Sequence, residues 1–266
     1  MSKGEVIVIT SGKGGVGKTT TSANLGVGLA IKGKKVALID ADIGLRNLDI
    51  VMGLENRIVY DLVDVIEGHC RLKQALIRDK RYQDLFLLPA AQTRDKDAVN
   101  PEQMKKLTDS MKDEFDYVLV DCPAGIEQGF KNAIAGADRA IVVTTPELSP
   151  VRDADRIIGL LESAEVKNIK LVLNRIRPDM VKKGEMMTLE DVTEVLAIDV
   201  LGVVPEDEAV VTSTNKGEPS VSNPHSRAGQ AFRNITERII GNEVPLMDYL
   251  EEQGFMKKIK KFFGVS

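Results

Sequence analysis

The 266 residues are 43% hydrophobic and 29% charged, the balance of a globular protein with ample core, and with 4% aromatic residues and no Trp that core is expected to be largely aliphatic. A net charge of −4 argues against a body that binds nucleic acid non-specifically. Two cysteines, Cys70 and Cys122, far apart and without a C-x-x-C, argue against a disulfide framework or a zinc or iron–sulfur centre and suit a reducing cytosol.

The first strand is expected over 5–10, where Val6-Ile7-Val8-Ile9-Thr10 is an unbroken apolar run, so no secretory leader is expected. It leads into SGKGGVGKTT, Ser11 to Thr20, in which Gly12, Gly17, Lys18 and Thr19 fit G-x-x-x-x-G-K-[ST]. Gly12, Gly14, Gly15 and Gly17 lack the Cβ that would hold the backbone away from a phosphate. Together with Lys13, Val16 and Thr20 they form a loop whose amides converge at the start of a helix predicted over 17–31. Lys18 supplies a cation for the β- and γ-phosphates, and the Thr19 hydroxyl is placed to ligate Mg²⁺.

Further apolar runs at 36–40, 85–89, 117–121, 140–144, 169–173 and 201–204 alternate with helical patterns at 101–112, 127–136, 149–164, 189–196 and 226–240. Near-continuous apolarity marks strands buried on both faces, and the alternation predicts an α/β fold of the P-loop NTPase kind. It is a doubly wound, mainly parallel sheet of about seven or eight strands with helices on both faces. Asp40 and Asp42 follow the second strand, beside the crevice where such sheets bind ligands. Asn47 fits a hydrogen bond to water or phosphate and fits a turn cap equally. The fourth strand ends in Asp121, the Walker B position, and Gly125 just beyond can bring an N–H to a terminal phosphate in a switch segment. Cys122 has no nearby His and reads as filler. Asn174-Arg175 follows the sixth strand where guanine-specific relatives place Asn-Lys-x-Asp; the fourth position here is Arg177, so adenine is expected, flanked by Pro205 and Asp207.

After Gly241 the chain becomes an acidic, flexible linker over 241–254 that closes an ATPase domain at 1–240. Residues 255–266 then read as an amphipathic helix. Phe255, Met256, Ile259, Phe262 and Phe263 share one face, and Lys257, Lys258, Lys260 and Lys261 take the rest. Those lysines carry +4, leaving −8 on residues 1–254. Anionic lipid is the expected partner of the tail, with a helix docked on its own domain and a calmodulin-like groove as other readings. No run of eighteen apolar residues is present.

KGGVGKTT with Lys13, DADIGLRNLD at 40–49, DCPAGIEQG at 121–129 and VPED at 204–207 resemble the ParA/MinD family of deviant Walker A ATPases, and within it the septum-site-determining MinD branch. The resemblance runs along essentially the whole chain. It implies ATP and Mg²⁺ as ligands and a homodimer in the ATP-bound form, with Lys13 reaching the partner subunit's phosphates. Asp42 would orient the attacking water with help from Asn47, while Thr19 and Asp121 hold the metal. It further implies that Ser149, Arg152, Asp153 and Asp155 meet a MinC-like division inhibitor, although the helix's charged residues fit a solvated face as well. A MinE-like or polar scaffold regulator and a peripheral position on the inner face of the cell membrane, exchanging with the cytoplasm, complete the expectation. A ParA-like partition ATPase would need a basic body for DNA. A flagellar-number regulator of the family would be expected to carry an extra N-terminal segment, and a cluster carrier would need paired cysteines.

Overall fold

The computed structural model describes residues 3–95 and 98–250. Eight strands form one sheet in the order β3-β4-β2-β5-β1-β6-β7-β8. They are β1 (Glu5–Thr10), β2 (Val36–Asp40), β3 (Ile77–Arg78), β4 (Leu85–Leu88), β5 (Tyr117–Asp121), β6 (Arg139–Thr144), β7 (Ile169–Ile176) and β8 (Asp199–Pro205). All pairings are parallel except β3 with β4, a two-residue antiparallel edge too short to be read in the sequence.

β1 shows why the strand runs are continuously apolar. Val6 and Val8 enter the core on one face, Ile7 and Ile9 the core on the other, and all four are fully buried. Each such side chain contributes about 1.5–3 kcal/mol relative to exposure. One face is covered by α1 (Lys18–Ile31), α2 (Leu48–Met52) and α11 (Arg227–Ile239). The other carries α3 (Leu62–Ile66), α5 (Pro101–Met111), α6 (Gln128–Ile134), α7 (Leu148–Ser163) and α9 (Leu189–Leu196). Three further short helices, α4 (Leu72–Ala75), α8 (Pro178–Lys182) and α10 (Glu208–Asn215), lie in connections.

Local chemistry sets the helix starts. Asn100 accepts from the Gln103 N–H while Gln103 returns a bond to the Asn100 N–H, with Pro101 in the first turn, so α5 begins there. α1 runs against α11 so closely that a Cβ on Gly28 would lie 2.3 Å from Thr236 Oγ1. The chain reverses its winding around β1, which pairs with β5 on one side and β6 on the other. The carboxyl end of β1 therefore opens on the ligand crevice of a doubly wound sheet.

Of the linker expected over 241–254, the part up to Leu250 is held on the domain. The Arg238 guanidinium donates to the carbonyls of Val244 and Pro245, and the Leu189 N–H donates to the Tyr249 hydroxyl. Residues 251–254 and the expected tail helix, Phe255 to Phe263, lie outside the described residues. Among the described residues no helix is long and apolar enough to cross a membrane.

Candidate nucleotide site

The loop between β1 and α1 is pressed into shape from two sides. A Cβ on Gly12 would lie 2.3 Å from the backbone carbonyl of Asp153 in α7, so only glycine fits there. Gly17, at φ +97°, caps α1 in the left-handed region, where a Cβ would also meet Asn174 Nδ2 at 2.2 Å. Asn174 is buried and donates from Nδ2 to the Val16 carbonyl at 2.8 Å, so it braces the loop from behind.

Beneath the loop a polar cluster closes around the end of β5. Asp121 accepts from Thr19 Oγ1 at 2.7 Å and from Ser22 Oγ at 2.8 Å, and Lys18 Nζ lies 3.4 Å away. Burial alone would push the Lys18 ammonium below its usual range. The Asp121 carboxylate, aided by Asp42 and Asp40, outweighs burial and raises its pKa. Lys13, at the rim, is exposed and forms no ion pair with a described residue. The sequence reading missed Ser22 and missed Asn24, which ties α1 to the Ser220-Val221 turn. Both are short polar residues inside an apolar helix, and both are buried.

Asp40 and Asp121 are register partners at the ends of β2 and β5. Asp40 is buried and accepts from the N–H groups of Asp42, Asn47 and Leu48, which folds the 40–48 loop back on itself. Burial, then the Asp121 charge, push its carboxyl up to about 7. Asp42 is half-buried beside it. Asn47 stands at the cap position of α2 without a side-chain capping bond, and its side chain is exposed. A surplus of carboxylate next to a hydroxyl and an ammonium fits a divalent cation. Among the described residues no group of three His, Cys, Asp or Glu side chains could hold one unaided, so Thr19 and Asp121 would share it with phosphate oxygens. Such an ion supplies charge neutralisation at the phosphates.

Gly125, at φ +91°, turns the chain beyond β5, and its N–H donates to the Ser11 carbonyl at 3.3 Å. The Cys122 thiol is fully buried, which pushes it up to about 12, so it carries no thiolate at neutral pH. On the far side of the loop a cleft is lined by Gly17, Thr20, Asn174, Arg175, Pro205, Glu206, Asp207, Val210, Val211 and Phe232. Asp207 caps α10 through the Ala209 N–H and also accepts from Ser226 Oγ and the Ala228 N–H, so it shapes this wall. Glu206, Val210, Val211 and Phe232 join the expected residues in this lining, and their apolar or charged types carry no signal of a ligand wall in the sequence. Ser149, Arg152 and Asp155 are exposed along α7 and Asp153 is half-buried with its backbone against Gly12, so the loop and this helix face form one surface.

The sequence pattern of the CobQ/CobB/MinD/ParA nucleotide binding domain matches residues 7–221. The chain belongs to that family. Its MinD branch is the relevant one: the septum site-determining protein MinD of Bacillus subtilis is 63% identical over 98% of this chain and 99% of its own. MinD of Aquifex aeolicus, solved as a MinC:MinD cell division protein complex, is 50% identical, with a TM-score of 0.86 over 92% of this chain and 99% of that one. MinD of Pyrococcus horikoshii, solved with Mg-ADP, is 32% identical, with a TM-score of 0.80 over 88% and 95%. The eight-stranded, mainly parallel sheet is the fold of these MinD structures.

Proposed function

We propose that this chain is a dimerising, membrane-binding ATPase that places the division septum by recruiting a MinC-like inhibitor. The observation that carries the reading is the contrast between the saturated cluster under the phosphate loop and Lys13 at its rim, exposed and without an ion pair to a described residue. Lys18, Thr19 and Asp121 supply what one chain needs to bind Mg-ATP. Lys13 is a cation available to the phosphates of a second copy, where it acts as a trans arginine finger does.

Phosphoryl transfer to water needs an aligned nucleophile and dispersed charge more than covalent participation. Asp42, half-buried beyond β2, orients the water with Asn47. The Gly125 N–H, now on the Ser11 carbonyl, exchanges partners to meet the terminal phosphate. The cleft at Asn174, Arg175, Pro205 and Asp207 takes adenine. The exposed charges of α7, Arg152, Asp155 and Arg156, have no ion pairs with described residues and suit the MinC-like partner; their continuity with the phosphate loop makes that contact sensitive to nucleotide.

The ATPase domain is residues 1–240 with 241–250 held on it, and 255–266 attach it to anionic lipid. Each tail lysine near the membrane contributes about 1 kcal/mol, close to the ~1–2 kcal/mol cost of ordering a residue, so a single tail holds marginally. Two tails in one ATP-bound dimer gain roughly 10²–10⁴ in avidity. Sedimentation with anionic vesicles tests this. Retention with ATP, and loss with ADP or without residues 255–266, is expected; retention that ignores nucleotide contradicts the reading. A MinE-like or polar scaffold protein is the regulator that this cycle requires.

A further inference from the structure

The base cleft and the Asp40–Asn47 loop are built on separate elements, and one side chain outside both joins them. Arg81 lies in the turn between β3 and β4, at the edge of the sheet. Its Nη1 donates to the Gly217 carbonyl at 2.7 Å and its Nη2 to the Met52 carbonyl at 2.7 Å. The buried Asp79 carboxylate takes Nε at 3.3 Å and Nη2 at 3.0 Å. Asp79 is itself fixed by the N–H groups of Arg81 at 2.7 Å and Tyr82 at 3.3 Å. A planar fork held from behind by a carboxylate presents its remaining donors in set directions.

The two carbonyls belong to the two halves of the site. Met52 ends α2, the helix whose first N–H, at Leu48, donates to Asp40. Gly217 follows α10, whose Val210 and Val211 line the base cleft. The two backbones touch at the junction. Gly53 and Gly217 have φ of +64° and +65°, and a Cβ on Gly217 would lie 2.5 Å from Gly53 Cα. The other end of α10 is pinned separately through Asp207.

We infer that Arg81 is a positioning residue that locks the base-side wall to the loop carrying Asp42 and Asn47, so that base recognition and water alignment are set together. The inference rests on the ATPase reading given above. Without the fork, the C-terminal end of α10 and the end of α2 separate while the phosphate loop is untouched. Both base binding and loop geometry loosen, and neither change requires Arg81 to touch nucleotide.

The test uses full-length Arg81→Ala and Arg81→Lys, at a temperature where circular dichroism shows each fully folded. With Mg-ATP and anionic vesicles, Arg81→Ala is expected to raise KM about tenfold, the size of one lost charge-assisted hydrogen bond, and to lower kcat several-fold. The preference for ATP over GTP narrows in step. Arg81→Lys, able to reach one carbonyl only, falls between, and it carries the test where the alanine variant does not fold. Amide exchange without nucleotide gives a readout independent of hydrolysis. Faster exchange at both 48–53 and 211–217 in the variants is expected. Acceleration confined to 79–82, or a lower melting temperature with KM, kcat and base preference unchanged, overturns the inference. A wild-type chain that does not hydrolyse ATP would sink the ATPase reading, while the exchange result still decides whether the lock exists.

Discussion

The two lysines of the phosphate loop occupy opposite surroundings. Lys18 is 7% exposed and faces Asp121, whose carboxylate also holds Thr19 and Ser22. Lys13, five residues earlier, is exposed and has no ion pair with a described residue. The inner rim of the loop is complete within one chain, whereas the outer rim offers a charge that one chain does not use. On the proposed reading, binding and chemistry are separated in space, and substitutions should separate them in measurement.

The largest effect is expected at the outer rim. Lys13→Ala should lower hydrolysis by roughly 10³-fold or more, the range for removal of a trans cation. A fluorescent-nucleotide titration of the same variant should show near-normal monomer binding, and light scattering should show no ATP-dependent dimer. At the inner rim, Lys18→Ala should weaken nucleotide binding by about 100-fold, because a buried charge-assisted contact to phosphate is lost and two carboxylates face the site unbalanced. Equal losses of affinity in both variants would erase the distinction.

The carboxylates beneath the loop give a pH signature. The Asp40 carboxyl is raised to about 7 in the folded chain from 3.8. The native state therefore holds this proton more tightly than the unfolded one. Its contribution is complete below about pH 4 and is lost as pH rises through about 7. In Mg²⁺-free urea titrations, the stability of the wild type relative to Asp40→Asn should accordingly be greater at pH 5 than at pH 8. A gap that is constant with pH would place the surplus charge elsewhere. The smallest effect on the fold belongs to α7. Arg152→Ala with Asp155→Ala should change the unfolding free energy from urea titration by no more than about 0.5 kcal/mol, as solvated positions do, yet abolish capture of a MinC-like protein in an ATP-dependent pull-down.

The inner rim was legible in the sequence for a physical reason. A strand buried on both faces must be apolar throughout, and a loop wrapped on phosphate must be glycine-rich, so β1, the loop and the end of β5 stand out by composition. The edge strand Ile77–Arg78 and the four- and five-residue helices α2, α3, α4 and α8 were not legible, because they are too short to display a period, and α10 was not because none of its residues is buried, so no apolar face marks it. Ser22, Asn24 and Arg81 escaped for another reason. Their partners lie 99, 196 and 136 residues away, so their roles exist only once the sheet has assembled. Asn47 shows the opposite case: residue type alone left a cap and a phosphate contact open, and the helix start at Leu48 uses its position but not its side chain.

The central claim is that one chain completes the chemistry of another, and the dependence of hydrolysis on protein concentration tests it most directly. Phosphate release per molecule, with saturating Mg-ATP and anionic vesicles, should rise with protein concentration and level off once dimers predominate. A turnover per molecule that is the same at all concentrations would contradict the account.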